Sequence, residues 1–249
     1  LRTRRQRQMC IRDSYLSSII LSFFFIMEAL FSADFRRGLR GKIKYRNIAY
    51  IISSLLVIFL LSKISKHLSS LDLKSLEVYK FPLVDFVGCF LIAELLNWLI
   101  HYIKHQGFFW KFHFQHHLDK RYTVLLTAHT HGIEVLLSGV FIGIMMNLIG
   151  FSIEAINLYY CFYVFGNTYQ HSSFNLSLGP LDKVIVSPRY HRIHHSKSYH
   201  ANFGCTLTIW DIVFKTAKWP KSEVVRDIGI NQKDEPIGFL KETFFFLKN

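Results

Sequence analysis

Apolar blocks as long as a bilayer is thick dominate the first two thirds of this chain, and they leave few folds open to it. Three of them run from about Tyr15 to Ala33, Asn47 to Ser65 and Leu83 to Ile100, each near the ~20 residues that carry a helix across the hydrocarbon core. A fourth, Ile133 to Gly166, is too long for one helix and has Gly150 near its middle. It reads as a helical hairpin that enters and leaves on the same side. Inside a membrane a helix satisfies its own backbone groups, and an open strand does not. The expectation is therefore an all-α chain, an integral membrane helical bundle. With 24 Phe and 12 Tyr among its apolar half, it is not a disordered chain.

Charge orients the bundle. The loop from Phe35 to Arg46 carries Arg36, Arg37, Arg40, Lys42, Lys44 and Arg46, and short basic loops stay cytoplasmic. Residues 66–82 are then expected outside, with the third span returning to the cytoplasm at His101. On that topology residues 101–131 and 167–249 both face the cytoplasm, and together they hold every histidine but His67. The net charge of +13 flanks the apolar segments instead of forming one stripe, which suits anionic headgroups and argues against nucleic acid. An acidic redox partner is compatible with the same basic face. The four cysteines show no CxxC spacing and no disulfide framework. Residues 1–14 read as a flanking segment and are set apart. The rest divides into transmembrane helices over 15–100, a histidine-rich catalytic region over 101–215 that includes the membrane hairpin 133–166, and a C-terminal extension over 216–249.

The histidines form His101-x3-His105, His113-x2-His116-His117, a single His171, and His191-x2-His194-His195. On a helix, positions i, i+3 and i+4 share a face, so each HxxHH aims three imidazoles into one arc. Nine imidazoles packed this densely would be poorly satisfied without a metal, and one tetrahedral zinc needs only four. The count favours two ions in a helical, histidine-rich cap on the cytosolic side. Imidazole alone suits zinc, copper, nickel or iron, so spacing does not choose the metal. A non-redox zinc-binding or metal-transport membrane protein is the alternative, although transport ligands belong near the midplane rather than at helix ends. A bis-histidine haem would leave the triplets unexplained.

Beyond the histidines, the chain resembles the fatty acid hydroxylase / sterol desaturase superfamily of membrane di-iron oxidases over about residues 20–215. Glu94-x3-Trp98-x2-His101 stands where that family often has Asp-x3-Tyr-x2-His. His131-Gly-Ile-Glu134 is similar to its His-Pro-x-Glu, and Gln170-His171-Ser172 to its (Gln/His)-His-Ser. The run Ser187 to Ser196, SPRYHRIHHS, looks like its most recognisable signature, followed by Asn202-Phe203-Gly204 and Ile209-Trp210-Asp211. Three positions depart from the pattern: Tyr102 where Arg is frequent, His129 where Arg is common, and Lys215 where Gly usually follows Phe214.

The resemblance implies an O2-dependent oxidoreductase that hydroxylates or desaturates a lipid in lipid biosynthesis. It implies two Fe ions, with Zn as a substituting metal, and O2 as co-substrate. The implied metal ligands are His101, His105, His113, His116, His117, His171, His191, His194 and His195. His131 is a candidate tenth ligand or a donor behind the ligands, and Asn167, four residues before His171, a candidate for binding metal through water or for packing its helix. Glu134 and Asp211 are candidate acceptors for the ligand imidazoles. No haem, flavin or iron–sulfur motif is present in the sequence, so electrons are expected from a ferredoxin- or cytochrome-b5-like donor.

Overall fold

A computed structural model describes residues 2–70, 81–175, 177–198, 200–221, 224–230 and 238–244. Five long helices carry the architecture: α1 (Arg2–Phe31) leads through the short α2 (Ala33–Gly38) to α3 (Gly41–Ser70), and α4 (Pro82–Lys104) follows. After the short α5 (Trp110–His117) come α6 (Gly132–Ile149) and α7 (Ile153–Gln170), and three short helices complete the chain: α8 (Pro188–His194), α9 (Ile209–Val213) and α10 (Phe239–Thr243). Among the described residues there is no strand, only two isolated bridges, Ile185 with Leu207 and Ser196 with Ile228. The sequence-based expectation of a mainly helical chain holds. Much of the segment expected outside, residues 71–80, lies outside the described residues.

Local chemistry explains the main boundaries. Pro82 opens α4 at a position where its missing N–H costs nothing. Gly150 closes α6 at φ 94°, a left-handed cap that glycine reaches without strain. Two residues later the Ser152 hydroxyl oxygen accepts from Ala155 N–H at 3.1 Å and starts α7. Asp85, near the start of α4, accepts from the Ser152 backbone N–H at 3.3 Å and from its hydroxyl. The turn between α6 and α7 is thereby tied to the far end of α4, and both helices pack on α4 around Cys89, Ala93, Met146, Phe151, Ile156 and Tyr159. On their other flanks α7 packs against α1, and α6 against α3.

The opposite ends of the long helices gather the short ones. Glu28, close to the end of α1 and fully buried, accepts from Val124 N–H at 3.1 Å and from Ser173 N–H. Near the start of α3, Tyr50 donates to Glu242 of α10 at 2.6 Å. Lys104 at the end of α4 pairs with Glu134 at the start of α6 at 2.8 Å. One end of the bundle therefore carries α2, α5, α8 and α10.

The outer helix faces are apolar. On α1, Ile19, Phe23, Ile26 and Leu30 are all more than half exposed, as are Ile52, Leu55, Leu56 and Phe59 on α3. Among the described residues α4 and α6 are each long and apolar enough to cross a membrane, and a shorter apolar run, Ser18–Phe31, lies in α1.

Candidate metal centre

The first site residues come from the end of α4, where His101 and His105 stand one turn apart. α5 contributes His113, His116 and His117, and α7 ends on His171. α8 begins with Ser187, whose hydroxyl oxygen accepts from Tyr190 N–H at 3.3 Å, and with Pro188 in its first turn; it carries His191 and His194, with His195 as its C-cap.

These nine residues converge in two groups. His101, His105, His113, His117 and His194 form one; His116, His171, His191 and His195 form the other, with ligand nitrogens in each group all within 4.8 Å of one another. The division crosses the helices. α5 gives its i, i+4 pair to the first group and His116 to the second; α8 gives its i, i+4 pair to the second and His194 to the first. Helix geometry dictates this, because at ~100° per residue positions i and i+4 lie about 40° apart, while i+3 and i+4 diverge by about 100°. The groups adjoin: the His117 and His195 rings stack with centroids 4.4 Å apart.

Within each group Nε2 faces Nε2. The separations are 3.2 Å for His105–His194 and His113–His117. They are 3.2, 3.1 and 3.2 Å for His116–His171, His171–His191 and His191–His195. The opposite ring nitrogens set the tautomer. Nδ1–H of His101 donates to Phe203 O at 2.9 Å, that of His194 to Ala201 O at 2.9 Å, and that of His171 to Asn167 O at 2.7 Å. A carbonyl only accepts, so these three Nε2 atoms carry bare lone pairs. Lone pairs pointed at neighbouring nitrogens in a buried site repel unless a cation lies between them. Ligand bonds of ~2.1 Å give nitrogen–nitrogen edges of about 3.0–3.4 Å, which the observed separations match. The donor set thus fits a metal in each group.

Electrostatics agrees. Burial first, then neighbouring imidazoles, pushes the pKa values of His105, His116, His117, His191 and His195 well below the usual imidazole range. Burial lowers His171 to about 4 and His194 to about 3, against their carbonyl hydrogen bonds, which raise them. Imidazoles that stay neutral are the form that binds metal.

Glu134 accepts from His113 Nδ1–H at 3.0 Å and from Lys104 Nζ at 2.8 Å, as an acceptor behind a ligand histidine should. The other three candidates sit differently. Asp211 acts at one remove: it accepts from Phe203 N–H at 2.8 Å and from Gly204 N–H at 2.9 Å, and the second of these belongs to the peptide whose carbonyl His101 bonds. The Asn167 side chain accepts from Gln170 Nε2 at 3.2 Å, and only its backbone carbonyl serves His171. His131 lies outside both groups: its Nδ1 accepts from Ile133 N–H at 3.2 Å as the N-cap of α6, and its Nε2 donates to Thr243 O at 3.2 Å.

Sequence reasoning named Glu94 and Asn202-Phe203-Gly204 without giving them a structural role. Oε2 of Glu94 accepts from Thr206 and Leu207 N–H at 2.8 and 2.9 Å, and Oε1 from the Tyr159 hydroxyl at 3.0 Å. Asn202, at φ 60°, pins the loop by donating to Tyr190 O and Lys218 O, both at 2.9 Å. Phe203 is fully buried against His101, His105 and His194. Gly204 leaves no room for a Cβ against the Leu207 carbonyl and Asp211. The Asn-Phe-Gly triplet was the available signal for all three.

A family model described as fatty acid hydroxylase matches residues 86–216, just over half of the chain. The chain belongs to the fatty acid hydroxylase family. Its similarity to curated members is moderate. Ornithine lipid hydroxylase OlsE of Rhizobium tropici is 32% identical over 146 residues, covering 57% of this chain and 44% of that protein. Human alkylglycerol monooxygenase is 26% identical over 146 residues, 55% of this chain and 32% of that protein. Methylsterol monooxygenase 1 of Danio rerio is 27% identical over 152 residues, 58% of this chain and 50% of that protein. The matched region spans half the length of these relatives or less. No solved structure shows a significant match. Every histidine of the two groups lies within the matched part of this fatty acid hydroxylase family member.

Proposed function

We propose that this protein is a membrane-embedded, O2-dependent di-iron oxidoreductase that hydroxylates a lipid. The observation that carries the reading is the pair of adjoining nests of imidazole nitrogens built crosswise from α4, α5, α7 and α8. Family membership supports lipid oxidation, and relatives named hydroxylase or monooxygenase favour hydroxylation over desaturation. Two bound irons would supply the one-electron steps between O2 and an unactivated C–H bond.

The chain's own residues do the positioning. Phe203, Ala201 and Asn167 carbonyls hold three imidazoles with Nε2 bare, and Glu134 holds His113. Burial of the ligand set keeps bulk water from the centre. Trp110, with its ring 5.2 Å from His105 and 5.4 Å from His117, places an aromatic wall beside the first group. The apolar outer faces of α1 and α3, together with α4 and α6, support multi-pass embedding. The basic loop at Arg36–Arg46 supports a cytoplasmic position for the centre and a ferredoxin- or cytochrome-b5-like electron donor there. Polar lipids, ether lipids and sterols are the substrate classes the relatives' names suggest.

Metal analysis of the purified protein tests the reading, with about two irons per chain and no Soret band expected. Zinc alone would favour the non-redox alternative. His194→Ala should lose metal and lipid oxidation together, and normal turnover with full metal content in that variant would refute the assignment.

A further inference from the structure

The segment from Cys205 to Phe214 does not stay at the level of the histidines. Glu94, which holds the Thr206 and Leu207 amides, stands seven residues before His101 on α4. At ~1.5 Å per residue that is about 10 Å along the helix, away from the metal-binding end. α7 reports the same depth independently. Gly166, five residues before His171, lies so close to Thr206 that a Cβ there would be 2.8 Å from its hydroxyl oxygen. Between these levels Trp98 donates to Asp211 at 2.9 Å, and its ring stacks on Phe214 with centroids 4.2 Å apart.

The outward side of this descending segment is apolar. Ile209, Ile212 and Val213, at i, i+3 and i+4 on α9, are 42, 50 and 55% exposed, and Phe214 is 47% exposed. Val184, whose carbonyl accepts from Thr208 N–H at 3.0 Å, extends the face and is 53% exposed. Lys183 and Lys215, both exposed, flank it. Such a patch in water is unfavourable. Beside a spanning helix, at the depth of Glu94, it meets acyl chains, while the lysines reach anionic headgroups.

We propose that the α9 face is sunk into the lipid leaflet alongside α4, so that the cap is partly immersed on this side instead of standing clear in the cytosol. The occupant of the face is phospholipid. The inference rests on the spanning role of α4 in the proposed function, and it refines the expectation that 167–249 faces the cytoplasm.

The test places p-benzoylphenylalanine singly at Ile212, at Leu91 on the outward side of α4, and at Lys221, an exposed residue of the polar cap. The full chain is reconstituted in nanodiscs of phosphatidylcholine with phosphatidylglycerol and irradiated, and phospholipid adducts are counted by mass. Position 212 should give adducts within about twofold of position 91 and at least about fivefold above position 221. Val213 carries the probe if the Ile212 variant does not elute as a folded protein. Adducts at 91 with only the 221 background at 212 and 213 would overturn the immersion of α9 and leave the spanning reading intact. Background at 91 as well would end the spanning reading and this inference with it.

Discussion

Asp211→Asn tests how the loop under the metal centre is held. Five donors converge on this fully buried carboxylate: Trp98 Nε1–H at 2.9 Å, Phe203 N–H at 2.8 Å, Thr216 O–H at 2.6 Å, Tyr190 O–H at 3.1 Å and Gly204 N–H at 2.9 Å. A carboxamide offers one oxygen where the carboxylate offers two. With that oxygen in the Oδ1 place, the amide NH2 faces Tyr190, whose hydroxyl can turn to accept, and Gly204 N–H, which cannot turn. One stranded buried donor costs about 1–3 kcal/mol, and the three retained bonds each lose up to ~1 kcal/mol when the acceptor becomes neutral. Relief from burying a charge offsets part of this. The net loss is about 3 kcal/mol, a Tm drop of roughly 6–12 °C for a chain of this size. Because the Phe203 carbonyl holds His101, bound iron per chain should fall with it. Differential scanning fluorimetry in detergent and iron analysis on the same sample read both. A variant with unchanged Tm and full iron would show that the five bonds do not position the loop.

Glu134→Gln removes the charge that His113 and Lys104 share, and metal affinity at the five-histidine group should fall about 10–100-fold, measured by competition with a chelator; unchanged affinity would make the contact incidental. Lys215 sits at φ 60°, a conformation costing a side-chain-bearing residue ~1 kcal/mol or more, so Lys215→Gly should raise Tm by roughly 2–4 °C, and a lower Tm would deny the strain. Metal-stripped protein should be acid-labile. Burial keeps His129 and His194 neutral down to about 3 and His171 down to about 4, whereas the unfolded chain takes up protons from about 6.5. The unfolded state therefore binds more protons throughout that window, and stability falls as pH drops below about 6.5, by ~1.4 kcal/mol per unit for each such histidine. Equal Tm values at pH 7.5 and 5.5 would contradict this.

Much of this site was readable from the sequence, because its key residues carry their chemistry in their own side chains. The HxxxH and HxxHH spacings put eight of the nine histidines on shared helix faces, the family resemblance added His171, and apolar length with the basic loop gave them a common end of the bundle. What escaped was chemistry with no letter of its own. The carbonyls of Phe203, Ala201 and Asn167 orient three imidazoles, and any residue has a carbonyl. Asn167 shares a helical face with His171, yet its side chain turned to Gln170, a choice that spacing does not reveal. His131 entered the candidates through the motif it shares with Glu134, and the structure places it outside both groups as the N-cap of α6. Long-range partners were equally hidden: Glu242, in what read as a plain extension, is the acceptor for Tyr50 across 192 positions.

The crossed assignment of imidazoles has a consequence for how the protein is loaded. Since each short helix serves both nests, a first bound ion would fix the rotation of α5 and α8 together. It would thereby present the remaining nest largely assembled, at little further cost in chain ordering. Filling should then be cooperative, passing from empty to doubly occupied with little singly occupied protein between.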